Sequence, residues 1–118
     1  MNNLYNYIKK QYAIINILNA LNEREQMKIK VRFYSYVKSR IGKNYIDLDI
    51  SEGASIKIAI NELCKVLGQN FKSMIINKEK GGYNFVFKLN SELVPHDRDD
   101  KILKDGDILS IFSPISGG

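Results

Sequence analysis

Alternating apolar and polar residues predict two strands in the first half of the chain. Between Lys28 and Tyr36, apolar residues occupy every second position of the opening stretch, which is typical of a strand with one buried face. The alternation returns from 46 to 50, after a turn-like segment Gly42-Lys43-Asn44. The alternating apolar residues are Ile29, Val31, Phe33, Ile46, Leu48 and Ile50. This pattern predicts a β-hairpin that ends near Ser51.

The spacing of apolar residues changes to that of a helix between 55 and 67. Four of them fall at successive intervals of four, three and four residues, so they share one helical face. They are Ile56, Ile60, Leu63 and Leu67. Ser55 can cap the N-terminus of this helix, and Gly68 can end it.

Two further strands are predicted in the last third of the chain. Tyr83, Phe85, Phe87 and Leu89 alternate as in a third strand, and 108–112 is rich in residues that favour strands. The tight turn 105–107, Asp-Gly-Asp, leads into that last strand. The order of elements predicts an α+β fold, in which one main helix packs across a sheet.

The first 26 residues form a segment of different character. They contain no Gly or Pro, and Leu4, Ile8, Tyr12, Ile15 and Leu18 recur at helical spacing, which predicts a helical extension. The apolar run 13–21 is shorter than the roughly 20 residues of a membrane span, and no signal-cleavage pattern follows it. We therefore expect neither a membrane anchor nor secretion. The expected location is cytoplasmic.

Composition limits the chemistry that the side chains can perform. The chain has 118 residues, with 18 Lys and Arg against 13 Asp and Glu, hence a net charge of +5. One cysteine and one histidine cannot build a zinc or iron–sulfur site, so no metal site and no catalytic side chain are expected. The basic residues match no nucleic-acid-binding motif, so no nucleic-acid partner is expected.

Three groups of potentially reactive residues are expected to have structural or solvent-exposed roles and not functional ones. Cys64 lies on or beside the apolar face of the 55–67 helix, where a structural thiol is expected. His96 is in a polar loop and is expected to be solvated. Asp97, Asp99 and Asp100 lack a calcium-loop pattern and are expected to be a solvated acidic stretch.

The C-terminal segment 113–118, Ser-Pro-Ile-Ser-Gly-Gly, has nothing after it against which to pack. Proline cannot extend a strand ladder, and two glycines have no side chain to bury, so the segment is expected to be a flexible tail. Residues without Cβ can pass through a narrow slot and adopt the backbone conformation it imposes. Such a tail is suited to carry its terminal carboxylate into the cleft of another protein.

Three stretches of 27–118 resemble the ubiquitin-like β-grasp sulfur carriers, and among them the family of molybdopterin synthase small subunits. The segment 27–34 is similar to the opening strand of that family, and Leu103-Lys104-Asp105-Gly106-Asp107 is similar to its turn before the last strand. The ending 112–118 is similar to the family's Phe-Pro-Pro-Val-Ser/Thr-Gly-Gly, with Ser113 in place of the first proline. The resemblance implies domains at 1–26 (helical extension), 27–112 (β-grasp) and 113–118 (tail).

The resemblance also implies a role in molybdenum cofactor biosynthesis. A ubiquitin-activating-type adenylyltransferase would use ATP to adenylate Gly118, and a sulfur donor would then convert it to a thiocarboxylate. The large subunit of molybdopterin synthase would receive the tail, formed by Pro114, Ile115, Ser116 and Gly117, and the sulfur would pass to a cyclic pyranopterin precursor. Phe112 and Phe33 are expected at the interface with that partner. No cofactor would be bound, and the isolated chain would have no turnover.

Three alternatives remain open at the level of sequence. The same fold and tail would suit a thiazole-synthesis sulfur carrier or a ubiquitin-like modifier joined to protein lysines through Gly118. The aromatic-proline ending favours the molybdopterin branch over the thiazole branch. A plain interaction domain with an incidental Gly-Gly would tolerate loss of its last two residues, whereas a carrier would not.

Overall fold

The fold is a five-stranded mixed sheet with helices packed on one face, and the computed structural model describes it for residues 2–24 and 26–114. The helices are α1 (Asn2–Arg24), α2 (Ser35–Ile41), α3 (Ile56–Leu67) and α4 (Gln69–Ile75), with a short 3-10 turn at His96–Arg98. The strands are β1 (Gln26–Phe33), β2 (Tyr45–Ser51), β3 (Val86–Leu89), β4 (Glu92–Val94) and β5 (Ile108–Phe112). Their spatial order is β2-β1-β5-β3-β4, which is a ubiquitin-like β-grasp sheet. The predicted α+β fold is confirmed.

The first and last strands lie side by side at the centre of the sheet. β1 pairs in parallel with β5, in a register that places Lys30 opposite Ile108 and Phe33 opposite Ile111. β2 is antiparallel to β1, and β3 is antiparallel to both β5 and β4. A parallel pair cannot be closed by a hairpin and needs a long crossover, here everything from α2 to the 105–107 turn.

The turn 105–107 ties the start of β5 to β1. The backbone N–H of Lys28 donates to the carboxylate of Asp105 at 2.8 Å, and the N–H of Gly106 donates to the Lys28 carbonyl at 2.8 Å. The N–H of Lys30 donates to the carbonyl of Asp107 at 3.0 Å. These bonds set the register of the two central strands before the ladder of β5 begins.

One apolar core fills the space between the sheet and the helices. Its largest fully buried side chains come from three strands and three helices and include Ile29, Ile60, Leu63, Phe87 and Ile111. The predicted helix is confirmed as α3: the Ser55 hydroxyl accepts from the N–H of Ile58 at 3.3 Å, and the N–H of Gly68 donates to the Cys64 carbonyl at 2.9 Å. The apolar stripe read from the sequence is the face that α3 buries.

The predicted hairpin forms, but its connection differs from the expectation. β1 and β2 pair antiparallel as predicted, whereas the strand ends at Phe33 instead of Tyr36 and is followed by α2. α2 places Val37 fully in the core, and its C-terminus is closed by Gly42 at φ +79°. The predicted turn 42–44 therefore follows the end of α2 instead of the end of a strand. Burial of Val37 stabilises a helix where the local pattern predicted a continued strand.

The region 69–94 also contains elements that the pattern did not predict. α4 and β4 were missed, and the third strand begins at Val86 although Tyr83 and Phe85 before it are buried as expected. Tyr83 instead forms a single bridge with Ile76, next to two glycines of positive φ. These short elements are held by long-range packing, which local periodicity does not report.

The predicted N-terminal helix is confirmed as α1. Every side chain from Asn3 to Ala20 is exposed, and the whole molecule measures 77 × 27 × 26 Å. Within the described residues, none of the helices combines the length and the apolar character required to cross a bilayer. The domain limits 1–26, 27–112 and 113–118 stay predictions, although β1 begins at Gln26 and β5 ends at Phe112.

We predict that Gly106→Ala lowers the free energy of unfolding by about 1 kcal/mol, because Gly106 has φ +85° and an alanine there is strained. A Cβ at this position would meet no atom within 4 Å, so the loss would come from the backbone alone. Urea unfolding followed by far-ultraviolet circular dichroism measures it. Gly106→Asn is the matched control, and it should lose less because asparagine tolerates the left-handed region. Equal losses in both variants would contradict this explanation.

Candidate functional site

The candidate tail leaves the domain from the end of β5. Ser113 is half-buried and Pro114 is exposed, while Ile115, Ser116, Gly117 and Gly118 lie outside the described residues. Because β5 runs parallel to β1, the tail leaves at the end of the sheet opposite to the one that α1 enters. The six residues after Phe112 can span at most about 20 Å when extended.

An aromatic stack marks the point where the tail begins. The rings of Phe112 and Tyr34 are 4.5 Å apart between centroids and almost parallel, at 9°. Both residues are half-buried, so the stack keeps an accessible surface. The Nζ of Lys88 lies 5.6 Å from the centroid of the Phe112 ring, within the range of a cation–π interaction. This stack fixes the direction in which the chain leaves the sheet.

Phe33 is not placed as its predicted role requires. Its side chain is only 2% exposed and belongs to the core, so it offers no surface for a partner to contact. Phe112, in contrast, keeps part of its ring accessible, and its interface role stays a prediction. The sequence interpretation missed Tyr34, although the alternation of β1 places residue 34 on the face opposite to Phe33.

The sheet face that bears the stack carries cations next to the stack, whereas farther along β1 Lys28 and Lys30 stand opposite Asp49 and Asp47 of β2. Along β1, Lys28, Lys30 and Arg32 point away from the core, and the Nζ of Lys30 lies 4.4 Å from the centroid of the Tyr45 ring. A shallow open groove of about 420 Å³ runs beside the stack. It is lined by Arg32, Phe33, Tyr34, Ser35, Lys38, Asn44 and Tyr45. The surface around the base of the tail is therefore both aromatic and positively charged.

His96 and one of the three aspartates take structural positions. The Nε2 atom of His96 lies 2.7 Å from the carbonyl oxygen of Phe85, and its ring packs against Tyr83 at 5.6 Å between centroids. The Tyr83 hydroxyl donates to the carboxylate of Asp99 at 2.6 Å. The residue His96 is exposed as expected, yet it also anchors the 3-10 turn to the loop before β3.

Cys64 is half-buried against the core, as expected of a structural thiol. Burial raises the pKa of this thiol above its ordinary value, which makes it less reactive as a nucleophile. Among residues 2–24 and 26–114, no three His, Cys, Asp or Glu residues are grouped as metal ligands.

Comparison with protein families gives one match that covers most of the domain. The profile of the ThiS family matches residues 48–118. A protein of Archaeoglobus fulgidus with no assigned role is 31% identical over 97 residues, which is 78% of this chain and 100% of that protein.

Solved structures support the same fold. A Pyrococcus furiosus protein described as a candidate molybdopterin converting factor subunit 1 is 25% identical, has a TM-score of 0.61, and covers 75% of this chain and 99% of its own. SAMP1 of Haloferax volcanii is 18% identical with a TM-score of 0.65, over 77% and 99% of the two chains. In the complex of molybdopterin-converting factor subunits 1 and 2 of Helicobacter pylori, the matching chain is 20% identical with a TM-score of 0.51, over 78% and 100%. The last two likenesses show the fold alone.

We predict that Tyr83→Phe removes part of the loss of stability at alkaline pH. Burial and the hydrogen bond to Asp99 raise the pKa of Tyr83 above its ordinary value near 10. The folded state therefore keeps a proton that the unfolded state releases, and stability falls as pH rises through about 10.

The measurement is the free energy of unfolding between about pH 8 and pH 11, where the wild type should decline more steeply than Tyr83→Phe. Tyr36→Phe is the matched control, because Tyr36 is exposed. If both variants follow the wild-type profile, Tyr83 does not contribute to the decline.

Proposed function

The chain belongs to the ThiS family of β-grasp sulfur carriers, and from this premise we propose that it carries sulfur as a thiocarboxylate on Gly118. The observation that carries the proposal is the placement of the tail. A rigid central strand ends at Phe112, and a short segment ending in Gly-Gly follows it. The family profile extends to that last residue.

The chemistry we propose begins at the terminal carboxylate. This group has an ordinary pKa of about 3.5, is ionised at neutral pH, and is a poor electrophile until it is activated. In the proposed step its oxygen attacks the α-phosphate of ATP on a ubiquitin-activating-type adenylyltransferase, which forms an acyl-adenylate and releases pyrophosphate. A donor of sulfur at the sulfide level then attacks the acyl carbon, AMP leaves, and Gly118 bears a thiocarboxylate.

The sulfur acceptor we propose is a cyclic pyranopterin held by the large subunit of molybdopterin synthase. One comparison supports this branch, namely the likeness to a candidate molybdopterin converting factor subunit 1 of Pyrococcus furiosus. The motif Phe112-Ser113-Pro114 adds sequence support. We further propose a cytoplasmic location, since the activating enzyme needs ATP.

The docking surface we propose is the stack of Tyr34 and Phe112 with its surrounding cations. Aromatic side chains with accessible faces are common energetic centres of interfaces. Arg32 and Lys88 flank this stack, so the matching surface of the large subunit is expected to be apolar with an acidic rim. A tail of six residues then reaches about 20 Å beyond that contact into the partner.

A second candidate function has its own support. SAMP1 of Haloferax volcanii, whose name stands for small archaeal modifier protein 1, shares the fold. A modifier would use the same acyl-adenylate but transfer the carbonyl carbon of Gly118 to a lysine amine. The two functions therefore share activation and differ in what attacks afterwards.

We predict that a matching activating enzyme, with ATP and a sulfur donor, replaces one oxygen of Gly118 by sulfur. Intact-protein mass spectrometry and a C-terminal fragment locate the change. Removal of Gly117 and Gly118 should abolish the exchange. One alanine added after Gly118 should also abolish it, because the carboxylate is then displaced from the activating site. Exchange that persists in either variant would contradict Gly118 as the carrier residue.

We predict that Phe112→Ala weakens binding to the large subunit by about tenfold or more, because a central aromatic contact is lost. Isothermal titration calorimetry measures the dissociation constant. Val66→Ala is the matched control, since Val66 is 61% exposed on α3, which packs on the other face of the sheet. It should change affinity less than twofold. Equal losses in both variants would place the interface elsewhere.

A further inference from the structure

The outer surface of α1 exposes a large apolar face that the domain leaves uncovered. Leu4, Ile8, Ile15 and Leu18 are 69%, 57%, 53% and 54% exposed, and all lie on one side of the helix. Tyr5, Tyr7, Tyr12 and Ile14, also exposed, widen this face. A helix whose apolar face is not packed lacks the tertiary contacts that supply most of the stability of helices in proteins.

The positions on this face repeat every seven residues. With Ile8 and Ile15 assigned to the a positions of a heptad, Leu4, Gln11 and Leu18 fall at the d positions. Ile at a together with Leu at d is the combination that favours two parallel strands. Lys9 and Lys10 then fall at b and c, where they stay in solvent when two helices pair.

The position of Gln11 favours a protein partner over a lipid surface for the apolar face of α1. It lies in the middle of the apolar seam, where a lipid surface would leave its amide without a partner. In a parallel, in-register pair, the two Gln11 side chains meet and can bond to each other, as polar groups at core positions do when they fix register. In an antiparallel pair, Gln11 would face an isoleucine or a leucine instead.

The area of this face is sufficient for pairing. Burial of one Leu or Ile side chain removes on the order of 100 Å² from water, as its free energy of about 2 kcal/mol at 25 cal/mol/Å² implies. The four Leu and Ile side chains at a and d give about 800 Å² for two helices. Tyr5, Tyr7 and Tyr12 flank the seam at e and g and add about 450 Å² when each is half covered, so the total reaches about 1,200 Å², the lower limit of a stable interface. The largest apolar patch on an ordinary monomer is about 300–600 Å².

We propose that α1 pairs with α1 of a second copy of this chain, as a parallel, in-register, two-stranded coiled coil. The proposal goes beyond sulfur carriage and does not depend on it. α1 enters β1 at one end of the sheet and the tail leaves β5 at the other, so pairing leaves both tails accessible. The dimer would hold two β-grasp domains, each with its own C-terminal tail, on one short coiled coil.

The test uses the full chain in size-exclusion chromatography with light scattering. The wild type should have twice the 13.6 kDa mass of one chain. Ile8→Glu/Ile15→Glu should have half the wild-type mass and lose helical signal, with an unchanged melting transition of the β-grasp domain. Asn6→Glu/Asn16→Glu adds the same charge on the opposite, polar face and should behave as the wild type.

Several outcomes would overturn the proposal. A wild type that is monomeric at all concentrations, an assembly larger than a dimer, or equal dissociation of both double variants would each do so. Co-flotation of a monomeric chain with vesicles of phosphatidylcholine and phosphatidylglycerol would assign the face to a membrane surface instead.

A distance measurement tests the direction of pairing. A nitroxide attached to Asn3→Cys in a Cys64→Ser background should give a short distance between copies, because a parallel pair places both labels at one end. An antiparallel pair that places Gln11 against Ile8 or Ile15 of the other copy separates the two labels by 13 or 20 residues, about 20 or 30 Å along the axis. A distance between the two nitroxides at least as long as the shorter of these axial offsets would contradict the parallel arrangement.

Discussion

The parallel contact between β1 and β5 is the constraint on which the other features of this molecule depend. It joins residues 78 positions apart, as in the pair of Lys30 and Ile108, and it is fixed by hydrogen bonds between the backbone of Lys28 and Lys30 and the 105–107 turn. The chain between the two strands must cross over the sheet, which places α3 and α4 against its apolar face. Because the strands run in the same direction, the segment before β1 and the segment after β5 leave from opposite ends of the sheet.

This geometry places the start of the C-terminal tail and helix α1 at opposite ends of the sheet. At one end, the aromatic stack of Tyr34 and Phe112 holds the point from which the tail starts. At the other end, α1 extends with its apolar face exposed. The reactive group that the proposed role requires is the terminal carboxylate, and the role does not use the half-buried thiol of Cys64, whose pKa burial raises. A carrier of this kind needs a rigid base for its tail more than it needs a pocket.

The sequence predicted those elements whose local pattern agrees with their final environment. α3 combines a complete apolar stripe with Ser55 and Gly68 at its ends, and β5 was predicted with its observed bounds. α2 was missed because the alternation of β1 continues into it, while its stability comes from burial of Val37 in a distant core. At the candidate site, the alternation that predicted β1 already assigned Phe33 to the buried face. The interface role predicted for Phe33 came from the likeness to other carriers, which does not report burial. The same alternation places Tyr34 on the accessible face.

The central claim is that this chain transfers a sulfur atom from Gly118 to an acceptor and is not itself conjugated to the lysines of other proteins. The most direct measurement is a single-turnover reaction of the chain, thiocarboxylated at Gly118, with a matching large subunit and a cyclic pyranopterin precursor. The account predicts that two thiocarboxylated chains are consumed for each dithiolene formed in the pterin, because each chain delivers one sulfur atom, and that Gly118 of both chains returns to a carboxylate. Retention of sulfur on Gly118 with no sulfur in the pterin would contradict it, and so would recovery of the activated chain in isopeptide linkage to lysines.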